Sequence, residues 1–269
     1  MPEVQRPVYL TIVIPAYNER SRIGATLGRI FGYLKNQSYK AEVLVVVDGS
    51  QDGTIDLVQE FSQEFSDLRV LHNESNRGKG FSVRKGMLAA RGKFVLFSDA
   101  DLSTPIEEVE RLVEHLQCGY DVAVASRALP DAEIRVRQPW WREFMGKTYN
   151  RLVQLLVLPG ICDSQCGFKC FPSEIAKEVF SHQRIDRFGF DVEVLWIARK
   201  LGYRIAEVPV IWSNDPVSKV HPIRDSVRML VDLLRIWHRI RRGAYDEVHR
   251  MDVKATSGSS ESRNFLPLN

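Results

Sequence analysis

Through residue 125 the chain alternates between two hydrophobic periods. Residues 9–14, 42–47, 68–72, 94–98 and 122–125 are short, β-branched apolar runs of the kind found in strands buried on both faces. Between them, apolar positions recur every three or four residues. Ile23, Leu27, Ile30, Phe31 and Leu34 share one face of a helix predicted over 21–34, and Ile55, Val58 and Phe61 do so over 54–65. Two more helices are predicted over 78–90 and 105–117, the second with Pro105 near its first position, where a missing N–H does no harm. Strand and helix in alternation imply parallel βαβ units with right-handed crossovers. The expected fold is α/β and Rossmann-like, with ligands received beyond the carboxyl ends of a mostly parallel sheet.

The rhythm changes after residue 128. Residues 131–138 are polar and arginine-rich, and helices are predicted over 139–156, 192–201 and 223–242. Residues 207–212 read as a strand in which Pro209 fits only an edge position. One domain is expected over 1–245, in halves of 8–127 and 128–245, and 246–269 reads as a disordered tail rich in serine.

Composition narrows the class. With 269 residues, 44% hydrophobic and 26% charged, the chain can bury a sizeable core and is neither disordered nor fibrous. Its net charge of +3 is too small for a protein that coats nucleic acid with its whole surface, so any basic site is local. Cys162, Cys166 and Cys170 recur every fourth residue, unlike the closer pairs of zinc sites, and read as reduced packing thiols. No signal peptide is expected at the N-terminus. The longest apolar run, 152–161, is broken by Gln154, Pro159 and Gly160, so a cytoplasmic protein without a bilayer span is expected.

Four loops at strand ends carry the chemistry. In Pro15-Ala16-Tyr17-Asn18-Glu19, an aromatic ring and a carboxylate can stack on and bond to a base, or Asn18 or Ser21 can simply cap the next helix. Asp48, followed by Gly49, Ser50, Gln51, Asp52 and Gly53, can accept from a base or ribose, while Asp52 or Thr54 caps a helix. Asn76-Arg77-Gly78-Lys79-Gly80 opens a helix with glycine beside lysine, an anion site without Walker spacing. The fourth loop ends a strand with Asp99-Ala100-Asp101. Residues i and i+2 of an extended segment point the same way, and two converging carboxylates repel unless a cation lies between them. Mg²⁺ is held in this manner, by one or two carboxylates with substrate phosphates completing the shell.

Together these four motifs resemble the inverting family 2 glycosyltransferases, which implies a GT-A fold, a nucleoside-diphosphate sugar donor and a metal, Mg²⁺ or Mn²⁺. The segments 163–169, 190–195 and 207–212, with Ser218-Lys219, resemble the dolichyl-phosphate β-glucosyltransferases within that family. The resemblance implies UDP-glucose as donor, or GDP-mannose as in the similar mannose synthases, and a polyprenyl phosphate as acceptor. It assigns Pro15, Ala16, Tyr17, Glu19, Asp48, Lys79, Gly80 and Ala100 to the donor, and Asp99 and Asp101 to metal and diphosphate. Ser126 and Arg127 would receive the acceptor phosphate, and Lys219 would close over the donor as a fourth catalytic residue beside Asp99, Asp101 and Arg127. Asp163, Gln165 and Asp191 would contact sugar or acceptor. Val47 departs from the family, standing where many relatives have the first aspartate of an Asp-Asp-Gly-Ser run. A second departure is the N-terminal membrane anchor of the eukaryotic enzymes, which this sequence is not expected to carry.

A phosphate acceptor is already anionic at neutral pH, so charge neutralisation and alignment matter more than a strong base. A lipid acceptor also needs a membrane-facing surface. Two candidates are the 139–156 helix, with Trp140, Trp141, Phe144 and Tyr149 among Arg142, Lys147 and Arg151, and the stripe Val227, Leu230, Val231, Leu234, Trp237, Ile240 of the last helix. Either could equally face the core or a second copy of the chain. The expected location is the cytoplasmic face of a membrane. Two rival readings stand beside this one: transfer to a soluble or polysaccharide hydroxyl with Asp163, Asp191 or Glu193 as base, and a non-catalytic nucleotide- or nucleic-acid-binding protein. Paired aspartates at a cleft disfavour the second rival.

Overall fold

The computed structural model describes residues 7–215 and 222–248. The predicted alternation is present. β1 (Leu10–Ala16), α1 (Arg20–Leu34), β2 (Ala41–Asp48), α2 (Thr54–Glu64), β3 (Leu68–Asn73), α3 (Lys79–Ala89), β4 (Phe94–Ser98), α4 (Val109–Gln117) and β5 (Val122–Ser126) follow in order. The second half adds β6 (Glu133–Val136), α5 (Trp140–Leu156), β7 (Phe168–Pro172), α6 (Ser173–Ser181), α7 (Phe190–Lys200), β8 (Ile205–Pro209), β9 (Ile211–Ser213) and α8 (Pro222–Arg241).

Seven strands form one sheet in the order β3-β2-β1-β4-β7-β5-β8, and β6 pairs with β9 in a small second sheet. Only β7 runs antiparallel to its neighbours in the large sheet, as the registers Phe97↔Lys169 and Ala123↔Cys170 show. Both faces are covered, which is why the strands read as unbroken apolar runs. Val13, Val46, Val95 and Phe97 face a core shared with α3, α6 and α7, while Ile12, Val45, Leu96 and Ala125 face α1 and α4. Cys166 and Cys170 pack into the second layer as free thiols, and burial pushes them up to about 11 and about 12.

The sequence pattern missed β6, β7 and α6. In β7 the polar Lys169 interrupts the apolar run, yet it is fully buried because Asp191 neutralises it. β6 is polar and largely exposed, a strand only through its pairing with β9. The stretch 207–212 is two strands that meet at Val210. Pro209 does lie on an edge strand, β8, as its missing N–H requires. Because β7 and β8 enter the sheet with strands of the first half, the two halves share one sheet and the apolar layers on both its faces. Tyr245 and Val248 are buried, so packing continues past the expected start of the tail at 246. Among the described residues no helix is long and apolar enough to cross a membrane.

Candidate active site

Chain order reverses between β1 and β4, and the loops after β1, β2, β4 and β5 converge on this switch point, where α/β sheets receive ligands. Two cavities open there. The first, of about 270 Å³, is lined by Pro15, Ala16, Tyr17, Glu19, Asp48, Lys79, Asp99, Ala100 and Asp101, among others. Tyr17 is exposed at its rim. Gly80, expected beside the donor, lies off this cavity and packs under Ile185 and Phe190.

Asp48 plays a different part from a free acceptor. One oxygen takes bonds from Asn73 Nδ2 at 2.8 Å and Arg77 N–H at 2.9 Å, and the other takes the Gly78 N–H at 2.8 Å. The carboxylate therefore shapes the Arg77–Gly78 turn at the first cavity. Gly78 has φ +110°, a value open to glycine alone in practice. The first two loops are tied together as well. Asn18 N–H donates to Ser50 Oγ, Asn18 Oδ1 accepts from Gln51 N–H, and Glu19 N–H donates to Thr54 Oγ1. Neither Asn18 nor Ser21 caps α1, whereas Asp52 accepts the Thr54 N–H at the start of α2.

The aspartate loop is held from three sides. Asp99 N–H donates to Gly167 O at 3.0 Å, Thr26 Oγ1 to Ala100 O at 2.6 Å, and Ser103 N–H to Asp101 Oδ1 at 2.9 Å. Leu102 adopts φ +48°, an uncommon conformation for a branched residue and typical of functional turns. A Cβ on Gly167 would collide with the Asp99 carboxylate, so a larger residue there would push that side chain from its place. Burial and the adjacent Asp99 charge together hold Asp101 above the usual carboxylate range. Lys79 Nζ lies 2.7 Å from Asp99 Oδ1, over the ring of Phe97. Burial works against the ammonium, but Asp99, Asp191 and Asp101 outweigh it and raise its pKa.

The second cavity, of about 490 Å³, shares Lys79, Asp99, Asp101 and Phe188 with the first. The rest of its wall combines Trp141, Phe144, Met145, Leu152, Met229 and Leu230 with polar residues that include Arg127, Gln165 and Asp191. Asp163 does not reach this cavity. It is buried beneath Arg127, held in turn by Glu207, whose oxygens accept the N–H groups of Cys162 and Asp163 at 2.7 and 2.9 Å. Asp191 pairs with buried Lys169. Ser126 Oγ and Tyr149 Oη are buried without a hydrogen-bond partner among the described residues.

Ser218 and Lys219 lie outside the described residues. Sequence reasoning missed Arg22, Arg187, Phe188, Arg228 and Asp232 in the first cavity. Residues 183–189 lack periodicity, and α8 reads as amphipathic without showing which polar residues turn inward.

The same backbone arrangement occurs in solved glycosyltransferases. Glucosyl-3-phosphoglycerate synthase from Mycobacterium tuberculosis, in complex with Mn²⁺, UDP-glucose and glycerol 3-phosphate, matches with a TM-score of 0.64 at 20% identity, over 86% of this chain and 80% of that one. The Pyrobaculum calidifontis mannosyltransferase, in complex with GDP-mannose and Mn²⁺, matches at 0.55 over 89% and 65%. The fold and the enzyme class are those of a GT-A glycosyltransferase. The chain belongs to glycosyl transferase family 2, whose profile matches residues 11–180. It is 35% identical over 252 residues to the dolichyl-phosphate β-glucosyltransferase of Dictyostelium discoideum, spanning 88% of this chain and 76% of that one. The enzyme of the same name from Mus musculus is 36% identical over 249 residues, or 88% and 77%.

Proposed function

We propose that this enzyme transfers glucose from UDP-glucose to a dolichyl-type polyprenyl phosphate with inversion at the anomeric carbon. The observation that carries the reading is the pair of cavities with a common wall of Lys79, Asp99, Asp101 and Phe188: one also lined by Tyr17, Glu19 and Asp48, for a nucleotide sugar, and a larger one lined by Arg127 together with Trp141, Phe144, Met145 and Leu152. Such a groove suits an isoprenoid chain with an anionic head. The acceptor phosphate oxygen bonds to the anomeric carbon as the bond to the donor diphosphate breaks, and UDP departs. That oxygen carries no proton that must be removed first, since the second phosphate pKa is about 6.

The protein's own groups supply alignment and charge. Asp163 engages Nε and Nη2 of Arg127, and Nη1 makes no bond within the protein among the described residues, so it is available to the incoming phosphate. Lys79 stands where the two cavities meet and offsets the charge gathering on both phosphates. Asp99 and Asp101 are hard oxygen donors at a strand end, both lining the two cavities, a donor set that fits Mg²⁺ or Mn²⁺. Such an ion, held by the two aspartates, would neutralise the departing diphosphate.

The hydroxyl-acceptor alternative needs a free base. Asp163 is bound to Arg127, Asp191 to Lys169, and Glu193 to the N–H groups of Arg184 and Ile185. The polyprenyl reading also accounts for apolar side chains left in water. Trp140 and Leu155 are 79% and 77% exposed on α5, and Val227, Leu230, Val231 and Leu234 are exposed on α8, whose inner face buries Leu233 and Ile236. We take these faces as the surface that meets the cytoplasmic side of a membrane. Thermal shift with UDP-glucose and GDP-mannose, with and without Mn²⁺, tests the donor. Stabilisation by UDP-glucose that depends on Mn²⁺ supports the reading, and a preference for GDP-mannose overturns the choice of sugar nucleotide.

A further inference from the structure

Residues 183–189 link α6 to α7 as an irregular strap, yet their backbone is tightly bonded to the donor loop. Gln183 Nε2 donates to the carbonyls of Gly80 and Ile185 at 2.9 and 2.7 Å, and Phe81 N–H donates to Asp186 O at 3.0 Å. The approach is close: a Cβ on Gly80 would lie 2.6 Å from Ile185 O, and one on Gly78 would strike Asp186 O. The next two residues of the strap, Arg187 and Phe188, line the donor cavity, and Phe188 lines the acceptor cavity too.

The strap is fixed from beneath by one carboxylate. Glu193, in the first turn of α7, is fully buried. One of its oxygens accepts the N–H groups of Arg184 and Ile185 at 3.0 and 2.8 Å. Its other oxygen accepts the hydroxyl of Tyr245 at 2.5 Å. Tyr245 follows α8 and is itself buried, with its ring 4.9 Å from that of Trp196 and 5.2 Å from the guanidinium of Arg184. A buried charge persists only where its lone pairs are satisfied, and here the partners come from two distant segments.

We propose that Glu193, locked by Tyr245, is a positioning residue for the donor: it sets the height of the 184–188 strap and through it the first turn of α3 that carries Lys79. Glu193 touches neither cavity, so its effect passes through Phe81, Asp186 and Phe188. The inference rests on the donor reading above.

The test compares Glu193→Ala, Glu193→Gln and Tyr245→Phe by two readouts. The first is residue-resolved amide exchange without ligand. Glu193→Ala speeds exchange at Phe81 and Ile185 at least tenfold and leaves β4 and α4 unchanged. The second is calorimetric binding of uridine diphosphate with Mn²⁺. Glu193→Ala weakens it at least tenfold, Glu193→Gln stays within threefold because its carbonyl still accepts both strap N–H groups, and Tyr245→Phe falls between. Should Glu193→Ala fail to fold, Tyr245→Phe carries both readouts, with at least a threefold change expected. Uniform acceleration of exchange, binding within twofold of wild type for Glu193→Ala, or a Glu193→Gln variant as impaired as the alanine one overturns the proposal. If the wild type binds no uridine diphosphate, the donor reading fails, and exchange at Phe81 alone decides whether Glu193 governs the α3 turn.

Discussion

Arg127 and Asp163 form a two-point pair: Nε lies 2.6 Å from one carboxylate oxygen and Nη2 lies 2.8 Å from the other, with the Arg127 N–H adding a bond of 3.0 Å. The guanidinium is thereby fixed in plane beside the Trp212 ring, 5.4 Å from its centroid. A lysine is a point charge on a flexible stem and cannot reproduce this fork. Arg127→Lys is expected to fold and to lose about 10²-fold in kcat, the scale of losing one preorganised donor. Steady-state kinetics at saturating donor checks it; kcat within threefold of wild type would remove Arg127 from the acceptor site.

The same pair predicts a pH effect on stability. Burial alone would raise the Asp163 pKa, but the Arg127 charge and the N–H groups of Arg127 and Gln165 outweigh it and bring it down to about 2. An unfolded aspartate titrates near ~3.9. The folded value is depressed, so the stabilisation is present above pH ~4 and is lost as pH falls from there through about 2, roughly 2–3 kcal/mol in all. Urea unfolding of wild type and Asp163→Asn across this window should show a shallower slope for the variant. The variant is also expected to lose about 3–5 kcal/mol at neutral pH, because Arg127 is left unpaired.

At Asp101 stability and activity are opposed. Its pKa is raised in the folded state by burial and then by Asp99, so its charge destabilises the metal-free fold at neutral pH. Asp101→Asn should melt above wild type in EDTA, lose the further rise that Mn²⁺ gives wild type, and lose more than about 10²-fold in kcat/KM. Melting curves with and without Mn²⁺ decide the first two points, and an undiminished Mn²⁺ response would take Asp101 out of the cation site.

The exposed apolar faces of α5 and α8 predict vesicle binding. Trp140, Phe144 and Leu155 stand out into solvent on α5. Burying such a side chain fully is worth about 1.5–3 kcal/mol, and an interfacial position gives part of that. The triple change Trp140→Ser, Phe144→Ser, Leu155→Ser should lower partition onto vesicles containing anionic lipid by about 10²-fold or more while circular dichroism is unchanged. Equal flotation of wild type and variant would assign these residues another role.

Much of this was legible in the sequence because parallel strands buried on both faces leave continuous apolar runs, as 42–47 does. The aspartate loop was legible because two acids at the end of such a run have few structural uses. Charges that cancel inside the protein were not legible. Lys169 hides β7, and nothing in residues 163–169 says that Asp163 turns down to Arg127 rather than outward to a sugar. The bonds that Asp48 accepts from Asn73, Arg77 and Gly78 while it lines the first cavity were likewise not legible. Long-range pairings of this kind depend on tertiary geometry, as does the strap that brings Arg187 and Phe188 to the first cavity.

In the proposed reaction a sugar moves from a nucleotide in one cavity to a lipid phosphate in the other. The most direct measurement incubates the purified protein with UDP-[¹⁴C]glucose, dolichyl phosphate in detergent, and Mn²⁺, then partitions the label between water and organic solvent. Label should enter the organic phase as an acid-labile β-glucosyl phosphate, and Asp99→Ala or EDTA should abolish it. Label that stays in the aqueous phase while the donor binds normally, or that reaches the lipid equally well with Asp99→Ala, would contradict the account.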